Sequence, residues 1–146
     1  MSHDEAALAF GSGRSWSWPV IARIWQTVDL ERTLANLGLP SERLLEDDLL
    51  GARGVLVRLT DEGVVAVLEP STEGRLAASL ARHGERETGL YVAPDGGFDE
   101  ARRSGLTLGP TAGGPFGREA LATDPGSLPG DSFLLIVEPP PATIGE

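Results

Sequence analysis

The chain has 146 residues, 40% of them hydrophobic, and carries 22 acidic against 12 basic side chains for a formal net charge of −10. It contains no cysteine, and every basic residue is an arginine, which excludes disulfides, thiolate metal sites, a cysteine nucleophile and Schiff-base chemistry on lysine. So acidic a surface repels a phosphate backbone, which argues against nucleic acid as a partner, and attracts cations.

The length suits one domain that buries roughly 70% of its unfolded surface. No apolar run approaches the roughly 20 residues of a membrane helix. The opening Met1-Ser2-His3-Asp4-Glu5 lacks the basic start of a secretory signal, so a soluble cytoplasmic protein with no membrane contact is expected. Residues 1–18 read as a loose arm. The arm ends in Ser15-Trp16-Ser17-Trp18, which holds two of the three tryptophans.

Val20 to Gln26 reads as a strand. Asp29 then serves as N-cap for a helix with Leu30, Leu34 and Leu37 on one face, stopped by Gly38 and Pro40. Residues 41–50 are acidic and fit a loop, a helical turn or a frayed edge strand. Gly54 to Thr60 and Val64 to Glu69 flank Asp61-Glu62-Gly63 as a hairpin. A linker helix follows over 72–84, with Leu76 and Leu80 on one face. The second half opens with Gly89 to Ala93, continues through a short helix near Phe98 to Ser104 and a strand near Leu106 to Leu108, and reaches the glycine-rich Ala112 to Gly117, expected to be a flexible rim. The last strand is Phe133 to Val137.

Two stretches match each other. Val64-Val65-Ala66-Val67-Leu68-Glu69-Pro70 recurs as Phe133-Leu134-Leu135-Ile136-Val137-Glu138-Pro139, each an apolar strand ended by Glu-Pro. The fold class expected is α+β, with two tandem βαβββ modules, about 19–71 and 87–140, forming a cupped mixed sheet with helices outside.

This order resembles the vicinal-oxygen-chelate superfamily of glyoxalases, ring-cleaving dioxygenases and bleomycin-resistance proteins. The resemblance is carried by Val28-Asp29-Leu30-Glu31-Arg32-Thr33-Leu34-Ala35 after the first strand. It continues through Leu68-Glu69-Pro70, Arg82-His83-Gly84-Glu85 and Gly89 to Val92, and ends at Val137-Glu138-Pro139-Pro140. In the metal-dependent members, four strands each give one His, Glu or Gln to a divalent cation in the cup. The corresponding positions here are Ala22, Ala66, Gly89 and Leu135, none of which can bind a metal. The resemblance therefore implies a metal-free, cofactor-free binder of the bleomycin-resistance type, a homodimer that takes up a small organic ligand, cationic or aromatic.

The ligand-binding candidates are Trp16, Trp18, Arg23, Trp25, Tyr91 and Phe116, because stacking a cation on such rings contributes about 0.5 to 2 kcal/mol. Arg23 and Trp25 share one strand face. Either Arg23 meets an acid such as Glu31 beneath the helix, or the strand turns both residues into the cup, which is the expectation preferred here. Glu69 and Glu138 are the candidates for catalysis. They keep open a metal-independent lyase, isomerase or cyclase, while a cup filled by its own side chains would mark a structural or protein-interaction module. His83 beside Glu85 and Glu87 reads as a surface histidine at a helix C-terminus rather than a metal ligand.

Overall fold

A computed structural model describes residues 18–59, 63–123 and 132–139. His3, Trp16 and the first two residues of the expected turn Asp61-Glu62-Gly63 lie outside those residues. The first module comprises β1 (Val20–Gln26), α1 (Leu30–Leu37), β2 (Ser41–Asp47), β3 (Ala52–Leu59) and β4 (Gly63–Pro70). After α2 (Arg75–His83), the second comprises β5 (Arg86–Val92), α3 (Gly97–Arg103), β6 (Leu108–Gly114), β7 (Gly117–Ala122) and β8 (Phe133–Val137). The ambiguous segment after Pro40 is thus an edge strand, and the expected flexible rim is the tight end of the β6–β7 hairpin.

The strands form one curled mixed sheet in the order β2-β3-β4-β1-β5-β8-β7-β6. β1 runs parallel to β4, β5 runs parallel to β8, and β1 and β5 join the modules antiparallel. The two halves are related by a pseudo-twofold at that junction. The free edges also approach each other: the Arg43 guanidinium on β2 donates to the Pro115 carbonyl and stands 5.2 Å over the Phe116 ring. The sheet is a half-barrel.

Alternation along the strands assigns the two faces. Ala22, Ile24, Ala66, Leu68, Tyr91, Leu121, Leu135 and Val137 point inward and pack into one buried cluster with Leu45, Leu50 and Leu76. On the outer face, Leu90, Val92, Leu134 and Ile136 pack with Phe98 and Ala101 of α3, while Val55, Val57 and Val67 underlie Leu30 and Leu34 of α1. The two outer layers differ in depth. Gly97, Phe98 and Ala101 of α3 are buried, but no residue of α1 is.

The Glu-Pro repeat explains how each outer helix starts. Glu69 accepts the Leu30 N–H at 2.9 Å, and Glu138 accepts the Phe98 N–H at 3.2 Å. Each module's last strand therefore satisfies an orphan amide at the start of its own helix. In α1 the Asp29 carboxylate adds a bond from the Arg32 N–H at 3.1 Å, and Gly38 closes the helix at φ 65°. In α3, a Cβ at Gly97 would lie 2.1 Å from the Glu138 carboxylate, at φ 64°, so glycine is required for the acid to approach.

Candidate functional site

Beneath α1, on the outer face of β1, β3 and β4, lies an open groove of about 600 Å³. Val57, Leu59, Val65 and Val67 form its floor. Thr33, Asn36 and Leu37 form the helical wall, and Arg23, Trp25, Arg32, Glu85 and Glu87 supply its aromatic and charged groups. Trp25 is 37% exposed, enough to offer a ring face to a ligand.

This placement corrects the expected orientation of β1. Arg23 and Trp25 pair with Val65 and Val67 of β4, whose side chains also face outward, while Ala22 and Ile24 take the interior. The physical reason is that burying Arg23 in the apolar interior would be costly, whereas outside it has a carboxylate. That acid is Glu87 at 3.8 Å, on the neighbouring strand, in place of the expected Glu31.

The polar end of the groove is organised around Glu85. Its Oε2 accepts from the Thr27 hydroxyl at 2.7 Å, the Val28 N–H at 2.9 Å and the Arg32 guanidinium at 2.5 Å. The Thr27 proton goes to Glu85, so the Thr33 hydroxyl, 2.7 Å away, donates to Thr27. These bonds, the Thr27 one foremost, hold the Glu85 carboxyl below its usual range. Glu87 is less constrained: its one ion pair among the described residues is the 3.8 Å contact with Arg23, and its side chain is 55% exposed.

The other aromatic candidates lie elsewhere. Tyr91 and Phe116 are together on the cup side, ring centroids 4.9 Å apart and edge to face. Trp18 is buried under α3, where its indole N–H donates to Glu100 at 2.7 Å. The five described candidates, Trp18, Arg23, Trp25, Tyr91 and Phe116, therefore do not form one site. Glu69 and Glu138 are held at helix starts, and Glu69 also accepts from Arg53 at 3.0 Å, so these two do not form a pair.

Inside the half-barrel, Ile24 pairs with both Ala66 and Gly89, and Tyr91 pairs with both Ala22 and Leu135. The four positions that the resemblance assigns to a metal are therefore neighbours on the inner face of adjacent strands. Their side chains present no donor atom, so they do not fit a divalent cation. No group of three or more His, Asp or Glu side chains is placed to hold a metal among the described residues.

The interior does contain one polar cluster that the sequence reading missed. Asp47 of β2 accepts from the Tyr91 hydroxyl at 2.7 Å and from the Leu50 N–H at 3.0 Å. Glu119 of β7 is fully buried near it, and as a carboxylate neither of its oxygens has a donor. Burial, followed by the Asp47 carboxyl, pushes the Glu119 pKa up to about 9. A pKa raised this far favours the neutral acid at neutral pH, the form that suits a carboxyl buried without a donor. Gly114 is required opposite, since a Cβ there would lie 2.1 Å from the Glu119 carboxyl. Burial and the Asp47 charge also push the Tyr91 hydroxyl upward, so it stays a neutral donor. The one sequence signal was an acid at an inward position of a strand, Glu119 before Ala120-Leu121.

No protein-family model matches the chain, and no curated protein matches it in sequence. Solved structures do match in shape. A hypothetical protein from Bacillus halodurans C-125 superposes at a TM-score of 0.67 with 15% identity, over 88% of this chain and 99% of the other. Methylmalonyl-CoA epimerase from Mycobacterium tuberculosis superposes at 0.66 with 19% identity, over 84% and 88%. A variant of the Streptomyces coelicolor methylmalonyl-CoA epimerase, in complex with 2-nitronate-propionyl-CoA, also superposes at 0.66 with 19% identity, over 84% and 98%. The half-barrel, its strand order and these neighbours agree on one conclusion: the chain has the vicinal-oxygen-chelate fold.

Proposed function

We propose that the chain is a metal-independent small-molecule-binding protein whose ligand occupies the groove under α1 rather than the interior of the half-barrel. The observation that carries this reading is the groove itself. Its volume of about 600 Å³ falls within the roughly 300–1,000 Å³ of small-molecule sites, and it combines an aliphatic floor, a half-exposed indole and a few charged groups. By contrast, the interior positions Ala22, Ala66 and Leu135 are sealed in core packing. Net charge −10 favours a cationic, aromatic ligand over an anionic one such as a CoA ester, the ligand class named for the S. coelicolor neighbour. A homodimer and a cytoplasmic location belong to the same proposal. No helix among the described residues is long and apolar enough to cross a membrane.

The test is a fluorescence titration with aromatic cations and CoA esters, on the wild type and on Trp25→Phe. The reading expects saturable quenching by aromatic cations that is largely lost in Trp25→Phe. Saturable binding of CoA esters with no change at Trp25 would place the ligand elsewhere and sink it.

A second reading rests on a separate observation, the buried carboxyl groups of Asp47 and Glu119 beside the Tyr91 hydroxyl. Such a pair suits acid–base chemistry without a metal. This reading requires turnover of a bound compound that falls at least about 100-fold in Glu119→Gln, the lower end for loss of a general acid or base.

A further inference from the structure

The pseudo-twofold relates the open groove under α1 to a filled space under α3, and so indicates what the groove is shaped to hold. Strand pairing fixes the correspondence. Arg23 lies beside Val65 and Trp25 beside Val67 in the first module, as Leu90 lies beside Leu134 and Val92 beside Ile136 in the second. Leu30 and Phe98 correspond as the helix residues whose amides are capped by Glu69 and Glu138.

Under α3 that space is occupied by Trp18, the residue two positions before β1. Its ring packs with Leu90, Val92, Ala101, Leu134 and Ile136, and its N–H is held by Glu100. The same offset that takes Arg23 to Leu90 takes Trp18 to Glu85, just before β5, and the capped-residue offset takes Arg32 to Glu100. The contact is preserved but the groups have changed: Arg32 donates to Glu85 where Trp18 donates to Glu100. A short carboxylate bound to the start of α1 stands where the other module has an indole. An open groove lies on the side that lacks this indole, with Arg23 and Trp25 at the positions of Leu90 and Val92.

Above this space the first module carries a charged pair that the second lacks. Arg23 and Glu87 correspond to Leu90 and Val20. Glu87 is the more exposed partner of a long 3.8 Å ion pair, so its carboxylate can accept an additional donor.

We propose that the groove binds an amine-bearing bicyclic aromatic molecule, the ring replacing the missing indole over Val65 and Val67 and the ammonium resting on Glu87. This deepens the groove-binding reading above and rests on it. The ring contributes most of the affinity through apolar burial against the strand floor and Trp25. Glu87 selects the cation.

The experiment is calorimetric titration of the full chain with tryptamine, ethylamine and indole-3-propionate. Tryptamine is expected to bind, ethylamine to show no measurable heat, and indole-3-propionate to bind at least 10-fold more weakly. Glu87→Gln should weaken tryptamine about 5- to 10-fold and leave indole-3-propionate unchanged. The double variant Glu85→Trp/Arg32→Glu rebuilds the Trp18–Glu100 pair under α1 and should fold while losing tryptamine binding. If that double variant fails to fold, Glu87→Gln still decides the matter through the tryptamine-to-propionate ratio. Aromatic cations of another shape quenching Trp25 while tryptamine does not bind would overturn this inference and leave the groove reading standing. No binding by any compound would overturn both, as would sedimentation showing the groove buried between two copies of the chain.

Discussion

Glu119 is the residue whose chemistry departs furthest from its sequence context, and it sets the pH response of the fold. Its folded pKa, pushed up to about 9, lies above the ordinary carboxyl value of 4.5 that serves for the unfolded chain. A raised pKa means that the folded state holds a proton the unfolded state has lost. Its contribution is therefore fully present below about pH 4.5 and declines as pH rises toward 9. Glu85 acts in the opposite sense, because its lowered pKa gives stability that is lost only on acidification below the normal carboxylate range. The wild type should accordingly melt at progressively lower temperature from pH 5 to pH 8, by up to about 4 kcal/mol if the site titrates alone. Glu119→Gln, which keeps a neutral amide donor toward Asp47, should flatten that dependence and melt above the wild type at pH 8. Equal slopes for the two proteins would show that Glu119 is ionised in the fold. The sequence offered only an acid ahead of Ala120-Leu121, and its inward orientation shows once β7 is paired with β8.

The elements themselves were largely legible, since their start and stop signals are local. Asp29, the Leu30-Leu34-Leu37 spacing and Gly38 define α1, and short apolar runs define β1, β3, β4 and β8. The edge strand β2 was not, because Ser41 to Asp47 is polar and becomes a strand only through its pairing with β3. The face of β1 was misjudged for a related reason: period-2 alternation fixes which residues share a face but not which face is inside, and Glu87 on another strand decided it. The Glu-Pro repeat belongs at this scale too. It looked like a pair of candidate catalytic acids and is a pair of helix caps. Glu69→Ala and Glu138→Ala should each cost about 1 kcal/mol in chemical denaturation. Glu69→Ala should also speed amide exchange along α1, whose residues are all at least partly exposed, more than Glu138→Ala speeds it along the buried α3. Unchanged exchange in α1 would remove Glu69 from the role of cap.

For the whole molecule, duplication gives two equivalent outer layers, and the sequence has made them unequal. One is closed by Trp18; the other carries Glu85 in its place and keeps a groove. Meanwhile the interior positions Ala22, Ala66 and Leu135 are occupied by aliphatic side chains in the core. On this account ligand recognition has moved from the concave to the convex side of the sheet. The most direct test is an amide chemical-shift map of the isotope-labelled chain titrated with tryptamine. The account predicts that the largest shifts fall together at residues 23–25, 32–37, 65–67 and 85–87. Shifts centred instead on Asp47, Tyr91, Glu119 and Leu135 would put the ligand inside the half-barrel and contradict it.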